Sequence, residues 1–525
     1  MQVRGEATNI PTVGCKLSYT HSKGLSLMRM TSLKLDTPHI TANEEALLRC
    51  QTALDLKDQG DYGGTREVMR PLWACLGEYP ETKTLHASVS AEVLLCVGIL
   101  TGWIGSKEGV EEAQEIAKNL ISESITYYES VGDTKRVAAA RAELAYCYWR
   151  EGALDEARII FNESLQKLTA QGNTRAKALL RLAIVEWSAS RFHEALRILT
   201  ENTVLFNKVN NHAIQGAYHS QLAMVLRKLA PSERRNDYFK RVLREYEEAD
   251  HHFKLARNVV FRADVKNNIG NVFRELSRFK EAHEYLEQAR RLRSSVRDKV
   301  GIAQIDDTRA QVLIAEKRFK EAEGVAKSAV RVLEKSGHQC LLADALITHG
   351  IALARLKQTQ RAQFTFQKAI EVAHQVGALN KAGLAALTLI EELDELAPET
   401  LYAAYDRASE WLAKSQSQDL LLRLNGAAKR VFSKLRGVLE AEAATETILN
   451  KPCDLQSEVL KFEASLIRQA LAQANASVTK AASLLGMSYQ GLAYVIGSRH
   501  KDLLKERSPI RRRSRKVETS EPLGN

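Results

Sequence analysis

The sequence is poor in the residues that build β structure, disulfide frames and reaction centres. Nine prolines occur in 525 residues, and few β-branched alternations are visible. Ala, Leu, Glu, Arg and Lys dominate, a composition that favours helix throughout. Cys15, Cys50, Cys75, Cys96, Cys147, Cys340 and Cys453 are scattered, and none has CxxC spacing. That excludes a disulfide frame or a zinc site and reads as reduced thiols in a cytoplasmic protein. No apolar run reaches the ~18 residues that span a membrane, and no signal-peptide core opens the chain. No membrane partner is expected. A phosphate loop of the form GxxxxGK(S/T) is missing, as are HExxH and GxSxG. The neighbours His251 and His252 point in different directions on a helix and make poor joint ligands, as do Asp306 and Asp307. No enzyme, cofactor or metal is expected.

A broad charge excess is also missing. The formal charge is +11, but nine Lys/Arg against two Asp/Glu between Arg499 and Lys516 carry +7 of it. The remainder is a nearly balanced solvated surface. Residues 1–43 are polar and aperiodic and are expected to be disordered, with Met28 or Met30 as alternative starts.

What is present is repetition. "SRFHEA" at 190–195 returns as "SRFKEA" at 277–282 and "KRFKEA" at 317–322. The alanines Ala157, Ala195, Ala282, Ala322 and Ala362 stand 38, 87, 40 and 40 residues apart. The 87 reads as two periods plus an insertion, visible as "APSERRND" at 230–237. Small residues at Ala145, Ala157, Gly270, Ala282, Ala322, Gly350 and Ala362 let paired helices approach. Phe161, Phe192, Phe279, Phe319 and Phe366 fill the space beside them. One helix pair cannot bury its apolar face alone, so neighbours must stack.

These positions resemble the tetratricopeptide pattern, a Leu-Gly-x-x-Tyr helix followed by Ala-x-x-x-Phe, over roughly residues 45–415. The period near 40 departs from the usual 34, and the closing proline is absent. Such arrays present a concave groove lined by the first helix of each pair. By register, Tyr146, Trp149, Trp187, Asn267, Asn271 and Arg274 are its candidates, and a protein or peptide is the expected ligand. The bland alternative makes the aromatics core and the asparagines a solvated face.

Along 420–449, Leu424, Ala428, Val431, Leu435, Val438, Glu442, Thr445 and Leu449 alternate by four and three. That stripe suits either a dimerising coiled coil or a helix that caps the array. A homodimer is therefore a possible assembly. "NKPCD" at 450–454 reads as a helix stop and linker.

The last unit occurs once. "LQSEVLKFEASLIRQALAQA" at 455–474 has Leu460, Leu466, Ile467, Ala470 and Leu471 on one side. "NASVTKAASLLGMSYQGLAYVI" at 475–496 follows, with Ala481, Ala482 and Leu485 on a first helix. Gly486 suits a left-handed bend, Met487 plugs it, and Ser488 caps a second helix. Leu492, Val495 and Ile496 face inward. This is helix-turn-helix spacing, and the last helix has the width of a DNA major groove.

The same residues resemble the Fis-type DNA-binding domain that ends many bacterial transcriptional regulators. The family's Gly-Asn before the second helix is here Ala476-Ser477, and Ser477 remains able to cap. The resemblance implies duplex DNA as a partner. Candidate DNA contacts are Ser477, Thr479, Lys480, Ser488, Tyr489, Gln490, Tyr494, Arg499, His500 and Lys501, with Arg511, Arg512 and Arg513 of the tail. The family places basic residues on the reading helix. Here Tyr489, Gln490, Ala493 and Tyr494 occupy that face, so phosphate attraction falls to the helix end and tail.

The expected organisation is all-α: a disordered segment 1–43, a tetratricopeptide-like α-solenoid 44–418, a capping helix and linker 419–454, a helix-turn-helix domain 455–505 and a basic disordered tail 506–525. The functional expectation is a cytoplasmic DNA-binding regulator with a ligand-binding array. The alternative is a tetratricopeptide scaffold or adaptor without a DNA role.

Overall fold

The computed structural model describes residues 40–506, apart from 109, 111, 233–235, 414–417 and 450–454. Arg511, Arg512, Arg513, Cys15 and Cys453 lie outside the described residues, as do the expected starts at Met28 and Met30. The chain divides into two compact units after Val431. Among the described residues every regular element is helical.

The first unit is a succession of antiparallel helix pairs. They are α1 (Ala42–Asp58) with α2 (Tyr62–Met69), α3 (Ala87–Glu108) with α4 (Ala113–Ser130), and α5 (Thr134–Arg150) with α6 (Leu154–Lys167). Next, α7 (Asn173–Ser188) pairs with α8 (Phe192–Glu201), followed by the short α9 (Thr203–Lys208); α10 (His212–Ser232) pairs with α11 (Asn236–Leu255). The series continues as α12 (Val259–Glu275) with α13 (Phe279–Ser295), α14 (Lys299–Ala315) with α15 (Phe319–Glu334), and α16 (Gln339–Arg355) with α17 (Thr359–Gln375). It closes on α18 (Leu379–Glu392) with α19 (Pro398–Leu412). This is a tetratricopeptide-like α-solenoid.

One packing rule recurs. A small residue on the first helix of a pair meets the side chain four residues after a buried alanine on the second. A Cβ added at Gly270 would stand 2.8 Å from Leu286, four after Ala282; at Gly350, 2.6 Å from Phe366, four after Ala362. Gly98 faces Ile121 in the same way, and Gly216 faces Phe253. The rule therefore adds Ala117 and Ala249, both fully buried, to the alanine series. Ala249 divides the 87-residue gap into 54 and 33. The insertion falls entirely before Ala249, where α9 and the lengthened α10 and α11 lie. Phe161 and Phe366 are fully buried. Phe192, Phe279 and Phe319 are only half-buried, because each opens its helix beside the turn.

The turns within pairs hinge on one left-handed residue: Gly152, then Ser190, Ser277, Lys317 and Lys357, with φ of 84°, 61°, 57°, 63° and 61°. Asp133, Asn258 and Asp298 cap α5, α12 and α14 through their side chains. Asn258 is also fully buried and donates from Nδ2 to the carbonyl of Asp58 at 2.8 Å, across 200 residues. The α1–α2 turn thus meets the α11–α12 turn, so the array winds back on itself.

The α3 segment Ala87–Ser106 is long and apolar enough to cross a membrane by length and composition. This corrects the expectation that no such segment exists. Its apolarity is explained by packing: Val93, Val97, Leu100 and Ile104 are fully buried core residues. The helix α20 (Gln418–Leu449) follows the pairs. Ala427 and Val431 are buried. Arg423 donates to Glu391 at 2.7 Å and Arg430 to the carbonyl of Ile390 at 2.7 Å. The first turns of α20 therefore pack against the end of α18. The side chains of Val438, Glu442, Thr445 and Leu449 lie outside the described residues.

Candidate nucleic-acid interface and ligand groove

The second unit builds a core from α21 (Leu455–Gln473), α22 (Val478–Leu484) and α23 (Tyr489–Arg499), with a 3-10 turn at Lys501–Glu506. Ile467, Ala470 and Leu471 of α21, with Ala474 just past its end, pack on Ala481, Ala482, Leu492, Ile496 and Leu503. Ala481 and Ala482 are nearly free of solvent, which lets α22 cross closely. Gly486 takes φ +66°, with no atom within 4 Å of the place a Cβ would occupy. Backbone conformation, not space, therefore requires glycine there. Ser488 accepts from the Gly491 N–H at 3.0 Å and caps α23.

Ser488, Tyr489 and Gln490 lie exposed at the α23 N-terminus, and Tyr494 is 71% exposed one turn on. Thr479, Lys480, Arg499 and Lys501 are exposed as well. A helix entering a major groove reads bases with its N-terminal residues, and a free helix N-terminus also attracts phosphate.

Several expectations need correction. His500 is 4% exposed, and its Nε2 meets Glu463 of α21 at 2.8 Å. It ties the end of α23 into the domain and is buried away from a ligand. Ser477 opens α22 but makes no side-chain cap bond. Its neighbours Asn475 and Ala476 hold φ of 48° and 60°, and that left-handed pair makes the entry turn instead. Met487 is 40% exposed and does not plug the turn. Leu466 is 41% exposed, off the packed face of α21. Ala493, expected on the exposed face, is half-buried, whereas Val495 packs against the core as expected.

In the first unit the groove candidates separate into two groups. Tyr146 is buried and stacks on Trp103 and Trp149 at centroid distances of 5.6 and 4.8 Å. Arg181 lies over Tyr146 at 4.3 Å and Arg150 over Trp103 at 4.5 Å. Trp149 donates to Ser188 at 2.8 Å, and Trp187 packs against the same core. Tyr146 is therefore a core residue, while Trp149 and Trp187 are half-buried beside it. Burial pushes the nearby Lys57 ammonium down to about 8. Burial alone would raise Glu143, but Arg181 and Lys177, at 2.7 and 2.9 Å, hold it well below the usual range.

Asn267, Asn271 and Arg274 do come together, in a groove of about 660 Å³ lined by α12, α14, α16, α18 and the start of α20. Arg274 Nε donates to Asn271 Oδ1 at 3.3 Å. The sequence reading missed the other walls, although the period contains them. Steps of 40 lead from Asn267 to Asp307, from Asn271 to Gln311, and from Thr308 to Thr348 and Thr388, all in the groove. Asp306 and Asp307 part company as adjacent helical residues do: Asp306 pairs with Arg290 at 3.2 Å, while Asp307 turns into the groove.

Residues 459–495 match the bacterial regulatory protein, Fis family, and form a Fis-family helix-turn-helix. No curated protein matches the chain. Among solved structures it is similar to a signal transduction ATPase with numerous domains that carries a tetratricopeptide repeat sensor, from Pyrococcus horikoshii. There the identity is 13% and the TM-score 0.41, over 77% of this chain and 68% of that one. It is also similar to a Rap protein complexed with competence and sporulation factor, at 13% identity and TM-score 0.46, over 74% of this chain and 99% of that one.

Proposed function

We propose that the chain is a cytoplasmic, non-enzymatic transcription regulator that reads duplex DNA with α23 and takes a peptide or protein ligand in the groove of its array. The observation that carries the DNA reading is the α22–Gly486–α23 turn. It holds Tyr489 and Gln490 exposed at a capped helix start within a Fis-family domain. Gln490 fits a bidentate contact to an adenine edge, and Tyr489 or Tyr494 a thymine methyl or a phosphate. Thr479, Lys480, Arg499, Lys501 and the arginines of the tail supply phosphate contacts. Val459, Phe462 and Leu466 form an exposed apolar stripe on α21, 55%, 67% and 41% exposed. A second copy suits that stripe, and a two-fold pair would read a palindromic site.

The test is binding of the full chain to genomic duplex fragments across a salt series. Affinity for a subset of fragments is expected, falling steeply with salt through counterion release. Absence of binding even at low salt would sink the regulator reading and leave the scaffold reading standing.

A further inference from the structure

We propose that the ligand of the groove is a short peptide that seats a cationic group, a lysine or arginine side chain or a free amino terminus, on Asp307. This rests on the peptide-ligand reading above and adds the chemistry the ligand must carry.

The groove contains four carboxylates that differ in one respect. Asp344 pairs with Lys381. Glu391 pairs with Arg423 at 2.7 Å and Glu392 with Arg355 at 2.9 Å. Asp307 has no ion-pair partner among the described residues, although it is the most deeply placed, at 8% exposure. Gln311 donates to its Oδ2 at 3.0 Å, while Oδ1 is buried without a hydrogen bond. An ionised carboxylate left in that state is costly, and a cation with N–H donors removes the cost. Burial has already pushed Asp307 up to about 6; the field of Asp344 adds to this, while Thr348, Gln311 and Lys381 oppose it.

The remaining walls suit a peptide backbone. Asn267 Oδ1 is buried without a partner and calls for an N–H donor. The amides of Asn271 and Gln311 each offer both donor and acceptor groups. Arg274 has no carboxylate partner among the described residues and suits a carbonyl or a terminal carboxylate. A groove of about 660 Å³ has the size of a small-ligand site, so it holds a few residues and not a folded domain. Among the described residues no group of three metal-ligating side chains assembles, which favours an organic cation over a metal ion.

The probes are fluorescent pentapeptide pools, acetylated and amidated, with neutral residues everywhere except a central lysine, norleucine or glutamate. Anisotropy with the full chain at pH 8 should show the lysine pool binding about 10- to 100-fold more tightly than the norleucine pool. The glutamate pool should bind worst. A norleucine pool with a free amino terminus separates the two cation sources. Asp307→Asn should bring the lysine pool down to the norleucine level, whereas Asp306→Asn should change nothing. Equal binding of the lysine and norleucine pools by the unaltered chain would overturn the inference while leaving a peptide groove. So would a lysine preference that survives in a folded Asp307→Asn chain. If no pool binds, the peptide-ligand reading falls and takes this inference with it.

Discussion

The two units use glycine for opposite reasons. In the array, Gly350 has no Cβ because Phe366 fills that place, 2.6 Å from where one would stand. In the terminal domain, Gly486 has open space around it and is fixed by φ +66°. The first is a packing constraint shared by a whole succession of pairs. The second is a local conformational constraint on one turn. Damage should therefore spread in the array and stay confined in the helix-turn-helix.

The largest effect is expected at Gly350→Leu. Phe366 is fully buried and cannot retreat, so the substitution should cost about 3 kcal/mol or more. Circular dichroism melting should show loss across the array, not at one pair. A variant that melts as the unaltered chain does would mean that this approach is not tight. Gly486→Val is expected to cost about 1–3 kcal/mol, through a β-branched residue in a left-handed turn. DNA binding should be lost while the array's transition stays in place. Joint loss of both would contradict the separation between the units.

Asp307→Asn tests the groove by stability. Its carboxyl ionises at about 6 against an ordinary 3.8, so the folded chain holds the proton more tightly than the unfolded one. The stability this contributes is complete below about 4 and lost as pH rises through about 6. Asparagine keeps the neutral form at every pH. The variant should gain about 1–3 kcal/mol at pH 7–8, with the gain fading towards pH 4. A gain that does not vary with pH would mean that Asp307 is not the titrating group. The smallest effect is expected at Ala476→Gly. Ala476 holds φ +60° where the related family carries glycine, and relief of that strain should stabilise the terminal domain by about 1 kcal/mol. Chemical denaturation that shows a loss instead would place the strain elsewhere.

The helical pairs were legible in the sequence because each alanine is forced by a local approach that recurs. Ala249 escaped because "EEADHHF" lacks the flanking "RF(H/K)EA" signature, although Ala249 and Phe253 keep the Ala-x-x-x-Phe spacing; the contact of Phe253 with Gly216 places it in the series. Asn267, Asn271 and Arg274 followed from register alone. Asp307 is hidden beside Asp306, because two adjacent carboxylates raise only the question of a metal ligand; the step of 40 from Asn267 is what marks it. Tyr146 misled because a large ring on the first helix of a pair serves core or groove equally well in sequence. Its burial and its stacking between Trp103 and Trp149 decide for core. His500 follows the exposed Arg499, and nothing local shows that it turns to Glu463, 37 residues away. Non-local pairing of this kind is what a pattern of spacings does not contain.

The central claim, that α23 is the reading element, is tested most directly by one competition experiment on the full chain. A preferred duplex is competed with random-sequence DNA for the unaltered chain, for Gln490→Ala and for the triple Arg511→Ala, Arg512→Ala, Arg513→Ala variant. Gln490→Ala should narrow the gap between preferred and random DNA by about 1–3 kcal/mol. The triple variant should weaken both alike and flatten the salt dependence. The reverse result, with specificity lost only in the triple variant and Gln490→Ala behaving as the unaltered chain, would contradict the account and move sequence reading from α23 to the tail.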